Sequence, residues 1–253
     1  MKLRSARPLA VLTLLFAGCS DAAGSPASTI GSSATAVTTS VTTAPPLAAS
    51  PSVTTEPAAA TSTFTAEVWA DNWFSLSVNG VLVGEDSVPI TTERSFNAET
   101  IRFTASYPLT IAMVSMDFKE TDSGLEYIGT DRQQMGDGGF IAQITDTATG
   151  AVVATTGSEW RGLVVQRAPL DTACVTSSNP NVDCQFEVVP EPDGWAAPGF
   201  DDSAWPTATV YTAAEVGAKD GYDTINWDAA AQLIWTGDLK VDNTILWRFT
   251  ATG

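Results

Sequence analysis

Apolar and polar positions alternate along much of the second half of the chain. Phe74, Leu76 and Val78 are spaced by Ser75 and Ser77, the period-two pattern of a half-buried strand. Asn79-Gly80 then separates this run from Val81-Leu82-Val83. Asn-Gly between apolar runs predicts a two-residue hairpin, because a type I′ turn needs positive φ at both positions. Ile101 to Ala105 alternates again, and Leu109 to Met116 is continuously apolar, as a central strand would be. Phe140 to Ile144 and Ala151 to Ala154 flank Asp146-Thr147-Ala148-Thr149-Gly150, a second hairpin. Leu163-Val164-Val165, Phe186 to Val189 and Ile245 to Phe249 complete the main set. Helical spacing is confined to one turn near Ala213-Ala214-Glu215-Val216. Many short strands with Gly, Asn and Asp turns predict an all-β, antiparallel β-sandwich or jelly roll over residues 64–253.

The first 63 residues have a different texture. Met1 to Arg7 is basic, Leu9 to Phe16 is apolar, and Ala17-Gly18 precedes Cys19. A basic start, a short apolar run and small residues at a cleavage point read as a signal peptide over residues 1–18. The apolar run is far below the roughly 20 residues that span a bilayer. Phe16-Ala17-Gly18-Cys19 resembles the lipobox of bacterial lipoproteins, which implies lipidation of Cys19 and export to the cell envelope. Residues 19–63 are mostly Ser, Thr, Ala and Pro, with Asp21 and Glu56 the only charges. Such a stretch buries too little apolar surface to offset ordering entropy and is expected to be a disordered linker. As a flexible coil it would span about 35–40 Å, enough to hold a domain clear of the envelope.

Charge and composition narrow the function. Cleavage would remove Lys2, Arg4 and Arg7, leaving nine basic residues against 29 acidic ones, a net charge of −20. Phosphate backbones and anionic headgroups repel such a surface, so nucleic acid is a poor partner and membrane contact needs the lipid anchor. The chain has no histidine. That removes Ser-His-Asp and Cys-His catalysis and histidine-based metal sites. Cys174 and Cys184 lie in the exported part, where a disulfide between them is expected to contribute roughly 2.5–3 kcal/mol.

Several motifs occur in order. Trp73 to Gly84 is an aromatic residue, an alternating strand, Asn-Gly and Val-Gly. Ser158-Glu159-Trp160-Arg161 follows the second hairpin, and Gly194-Trp195 leads to Gly199-Phe200-Asp201-Asp202-Ser203-Ala204-Trp205. Leu233-Ile234-Trp235 and Asn243 to Arg248 close the series. The order resembles the galactose-binding-domain-like jelly rolls that accompany α-L-rhamnosidases and β-galactosidases. The resemblance implies a β-sandwich whose role is carbohydrate binding or support of a neighbouring catalytic domain.

Sugar binding needs aromatic faces and planar polar side chains. Trp160, Trp205 and Trp247 sit in strand patterns or motifs and are expected in the core. Trp195, Tyr222, Trp227 and Tyr127, with Arg132 nearby, lie in loop-like sequence and are the ligand-binding candidates; buried loop packing is their competing role. Asp117, Glu120, Asp122, Asp131 and Asp137 form an oxygen-rich stretch that suits structural calcium, against the plainer reading of solvated acidic loops. Glu126 and Asp131 could form a glycosidase acid and base pair, a pairing that 29 acids make cheap by coincidence. The expectation is a non-catalytic, lectin-like module that binds a glycan or polysaccharide. The alternatives are a structural or adhesive module that binds an envelope protein and, third, a carboxylate-dependent hydrolase.

Overall fold

The computed structural model describes residues 60–90 and 97–253. The expected leader, Cys19 and the linker up to residue 59 lie outside these residues. Ser62 and Thr63, placed by sequence at the linker's end, already belong to the first strand.

Fourteen strands occur among the described residues. In chain order they are β1 Ser62–Asp71, β2 Trp73–Val78, β3 Val81–Glu85, β4 Asn97–Ala105, β5 Leu109–Met116, β6 Leu125–Glu126 and β7 Gln134–Met135. Then come β8 Gly139–Asp146, β9 Val152–Thr155, β10 Arg161–Arg167, β11 Glu187–Val188, β12 Thr209–Tyr211, β13 Leu233–Trp235 and β14 Asp242–Ala251. Two four-residue helices, α1 Pro180–Asp183 and α2 Ala213–Val216, interrupt the later loops. One six-stranded sheet runs β12–β13–β8–β1–β4, with β9 on β8; the other runs β11–β10–β14–β5–β2–β3. All pairings are antiparallel. The protein is thus an all-β, two-sheet antiparallel sandwich.

Strand alternation explains why two sheets pack. Phe64, Ala66, Val68 and Ala70 of β1 and Phe140, Ala142 and Ile144 of β8 face inward from the first sheet. Phe74, Leu76 and Val78 of β2, Ile111 and Met113 of β5, and Ile245 and Trp247 of β14 meet them from the second. Asn79 and Gly80 both have positive φ, 52° and 80°, as the predicted hairpin turn requires. The short helix α2 carries a capping box between Thr212 and Glu215 and ends at Gly217 in the left-handed region.

Both outer faces are also apolar and both are covered. Trp69 and Ile141 point out of the first sheet and pack on Val216 and Leu233. Ala112, Val165 and Leu246 point out of the second and pack on Trp195 and Trp205. The cover of the second sheet is fastened by buried Arg248. Its Nε donates to Asp202 Oδ2 at 2.8 Å, and its Nη1 donates to the carbonyls of Trp195 and Ala197. Its guanidinium also lies 5.3 Å from the Phe200 ring centroid. Arg161, directly opposite Arg248 across the β10–β14 pairing, donates Nη1 to the Trp205 carbonyl at 2.9 Å.

Arg248 cannot shed its charge, so removing its acceptor is worse than removing the arginine. Asp202→Ala is expected to cost about 3 kcal/mol. Arg248→Met fills the slot and leaves two carbonyls unpaired, at a cost of about 1–2 kcal/mol. Urea denaturation of the two variants against the parent protein measures the order, and equal costs would rule out this account.

Candidate functional site

A groove lies where β10 meets β11 and the loop after β13. β10 pairs irregularly with β14 around Val164, Gln166 and Arg167. Such irregularity re-aims side chains at a sheet rim. Gly162 is required at the floor, since a Cβ there would sit 2.5 Å from the Trp247 ring. The resulting groove has a volume of about 630 Å³ and is lined by Val164, Gln166, Arg167, Leu170, Glu187 and Asp238 among others. Arg167 Nε donates to Asp242 Oδ1 at 2.8 Å, with the arginine side chain 47% exposed and the aspartate buried. The Thr236 hydroxyl donates to the other oxygen of Asp242. Exposed apolar residues stand at this edge: Leu170 at 47%, Phe186 at 47%, Val188 at 58% and Val189 at 39%. The groove thus offers an apolar rim beside planar polar side chains.

The Cys174–Cys184 disulfide closes the neighbouring loop. Leu125 packs against both cysteines. The Gln133 side-chain amide donates to the carbonyls of Val175 at 2.7 Å and Ser177 at 2.8 Å. The β6–β7 hairpin is thereby tied to the disulfide loop.

The aromatic candidates are placed apart from this groove. Trp195 is buried against Trp205 and donates Nε1 to Glu191 at 3.1 Å, which is the packing role weighed for it from sequence. Tyr222 and Trp227 are half-buried neighbours with ring centroids 6.0 Å apart, and Tyr222 also meets Trp69 edge-on at 5.7 Å. Tyr127 is half-buried, and the Arg132 guanidinium lies 4.0 Å from its ring centroid, covering one face. Trp160, Trp205 and Trp247 are in the core as expected.

Of the five calcium candidates, Asp117 and Asp137 come near each other and the other three turn elsewhere. Asp117 is buried, while Glu120 accepts from the Ile128 amide at 2.8 Å. Asp122 pairs with Lys119 at 2.8 Å, Asp131 is exposed and Asp137 is half-buried. Among the described residues no group of three or more Asp, Glu, His or Cys is arranged to hold a metal ion. Glu126 is buried and accepts from Gln134 Nε2 at 3.0 Å, and Asp131 is exposed.

Sequence reading did not single out Gln166, Arg167, Glu187, Asp238 or Asp242. The available signal was Phe186-Glu187-Val188-Val189 running into Pro190, the pattern of an edge strand with exposed apolar positions. Comparison with protein-family models, with curated proteins and with solved structures gives no match.

A separate feature at one end of the sandwich is electrostatic. Asp71 ends β1 and Asp117 follows β5, and both are buried. Burial, then the charge of Asp137 and more weakly that of Glu126, push the Asp71 carboxyl up to about 8, against a counter-pull from Lys219. Burial, then Asp71, Glu126 and Asp137, hold Asp117 well above the usual carboxylate range. A raised carboxyl keeps its proton in the folded protein at pH values where the unfolded chain, with a carboxyl near 3.8, has released it. Between pH 4 and 8 the folded state therefore binds more protons, and stability falls as pH rises. Thermal melts across that range should show the fall, with a slope up to about 1.4 kcal/mol per pH unit for each such proton. Asp71→Asn should flatten it and raise the melting temperature at pH 8; an unchanged slope would remove Asp71 as its source.

Proposed function

We propose that this chain is a non-catalytic recognition module of a bacterial cell surface. In this reading it is exported, held by lipid on Cys19, and binds an envelope protein through the β10–β11 groove. The observation that carries the proposal is the pair of exposed apolar residues Leu170 and Val189 in the groove lining, beside the half-exposed Arg167. Contiguous exposed apolar residues rimmed by polar ones mark interaction surfaces. The charge of Arg167 is offset by Asp242, so Glu187 and Asp238 set the sign of the groove. That sign favours a partner segment with apolar side chains flanked by basic ones.

A carbohydrate ligand is the second reading. It is favoured by the planar polar side chains of Arg167, Glu187 and Asp238 around one groove, the hydrogen-bonding half of a sugar site. It agrees with the resemblance to galactose-binding-like accessory domains. The stacking half is weaker here, because the candidate aromatics are buried, paired or covered by Arg132.

The test presents the full chain to a displayed peptide library and to a glycan panel, with Leu170→Glu/Val189→Glu as the groove variant. Both positions are exposed, so the substitutions should leave folding intact. The expected result is selection of apolar-basic peptides, bound at least about tenfold more weakly by the variant. Glycan binding alone, lost in Arg167→Ala, would transfer the site to the second reading. Ligand binding that ignores both variants would remove the groove from the account.

A further inference from the structure

Where β3 ends and β4 begins, the described residues bring together more oxygen acceptors than donors. Asp86 follows β3, donates its backbone amide to the Phe74 carbonyl at 2.9 Å, and is 5% exposed. Its Oδ1 accepts from the Val88 amide at 2.8 Å. Its Oδ2 is buried without a hydrogen-bond partner. Asn97 and Glu99 open β4. Glu99 Oε1 accepts from the Ser87 amide at 3.1 Å, from the Ser87 hydroxyl, and from Asn97 Nδ2 at 2.8 Å. Because Nδ2 is committed to Glu99, the amide of Asn97 is fixed with its oxygen turned the other way, and that Oδ1 is also buried without a partner. The Gly221 backbone closes the far side, since a Cβ there would lie 2.8 Å from the Ala98 nitrogen. Among the described residues no lysine or arginine forms an ion pair with Asp86 or Glu99.

Two buried oxygen acceptors without donors, one of them on the Asp86 carboxylate and both next to Glu99, suit a cation. The geometry points to a calcium site formed by the carboxylates of Asp86 and Glu99 and the amide oxygen of Asn97. Calcium accepts carboxylate, amide and hydroxyl oxygens in flexible geometry, whereas magnesium demands a near-ideal octahedron. Zinc and copper prefer nitrogen or sulfur; the chain has no histidine, and Cys174 and Cys184 are joined to each other. The set has only two carboxylates, so it differs in kind from a cluster of three or more acidic ligands. None of its members belongs to the acidic stretch between Asp117 and Asp137 that sequence suggested.

The test is calcium chloride titration of the chelator-treated full chain, followed by thermal melting and calorimetry at pH 8. Magnesium chloride serves as the control. At pH 8, calcium is expected to bind with a dissociation constant of about 10⁻⁴–10⁻³ M and to raise the melting temperature by about 3–6 °C at tenfold to hundredfold saturation. The shift should disappear in Asp86→Asn and survive in Asp117→Asn. Glu99→Gln, at a half-buried position, supplies the same test should Asp86→Asn fail to fold. No calcium effect on the parent protein overturns the site. So does an equal shift with magnesium, or a shift lost in Asp117→Asn while Asp86→Asn retains it.

Discussion

A guanidinium that cannot lose its proton is buried on the outer face of the second sheet, and the cover of that sheet is built around it. Alternation along β14 leaves no choice in the matter: Trp247 points into the core, so Arg248 must point out. Arg161 of β10 stands directly opposite, and like charges in that position repel. The chain resolves this by laying residues 194–205 over both arginines. Asp202 supplies the counter-charge, and the carbonyls of Trp195, Ala197 and Trp205 accept the remaining donors. Trp195 and Trp205 then seal the apolar surface around them. The tryptophan-rich loop is therefore a structural lid on the sheet, which is why Trp195 has no free face to offer a sugar.

The first sheet is closed by another means. Its outer face carries Trp69, whose indole nitrogen donates to the carbonyls of Lys219 and Asp220 at 3.0 and 3.2 Å. Those bonds fix the loop that holds Tyr222, and Tyr222 in turn receives Trp227 through the Trp227 Nε1 bond to its carbonyl at 3.0 Å. Two loops of aromatic composition thus serve as covers for two outward-facing apolar surfaces. The two edges of the second sheet stay uncovered: Leu170, Phe186 and Val188 are exposed at the β11 edge, and Val81 and Leu82 on β3 at the other.

The strand pattern was legible because period-two alternation is local, and the Asn79-Gly80 turn because its backbone demand is local too. Trp247 could be assigned to the core for the same reason, and Trp160 and Trp205 to buried positions from the motifs that hold them. The fate of Trp195 was not legible, since its burial depends on Arg248, 53 residues away. The acidic stretch misled in a similar way. Its members are near in sequence, yet Asp122 turns to Lys119 and Glu120 to the Ile128 amide. The acids that interact across space are Asp71, Asp117, Glu126 and Asp137, brought together by the ends of β1, β5, β6 and β8. Strand register, not spacing along the chain, decides which carboxylates meet.

An open edge strand is a hazard in a β-sandwich, and its treatment here bears on function. Unpaired strand edges invite pairing with other chains, so proteins keep them short or charged. β3 and β11 end the second sheet, and both are short, at five and two residues. β11 has Glu187 within it and Pro190 two residues beyond it, which together discourage strand addition. A surface meant only to be inert would have extended that treatment to its neighbours. Instead, Phe186, Val188 and Val189 leave apolar side chains exposed around Glu187, while Arg167 holds its Nε against Asp242 at the groove wall. Protection of the backbone edge combined with exposure of the side chains fits recognition by side-chain contact rather than by backbone pairing. It also accounts for the disulfide beside the groove: the Cys174–Cys184 loop leads straight into Phe186, and the Leu170 amide donates to the Gln185 carbonyl at 2.8 Å. The rim is thus braced at both ends by bonds that do not depend on a ligand.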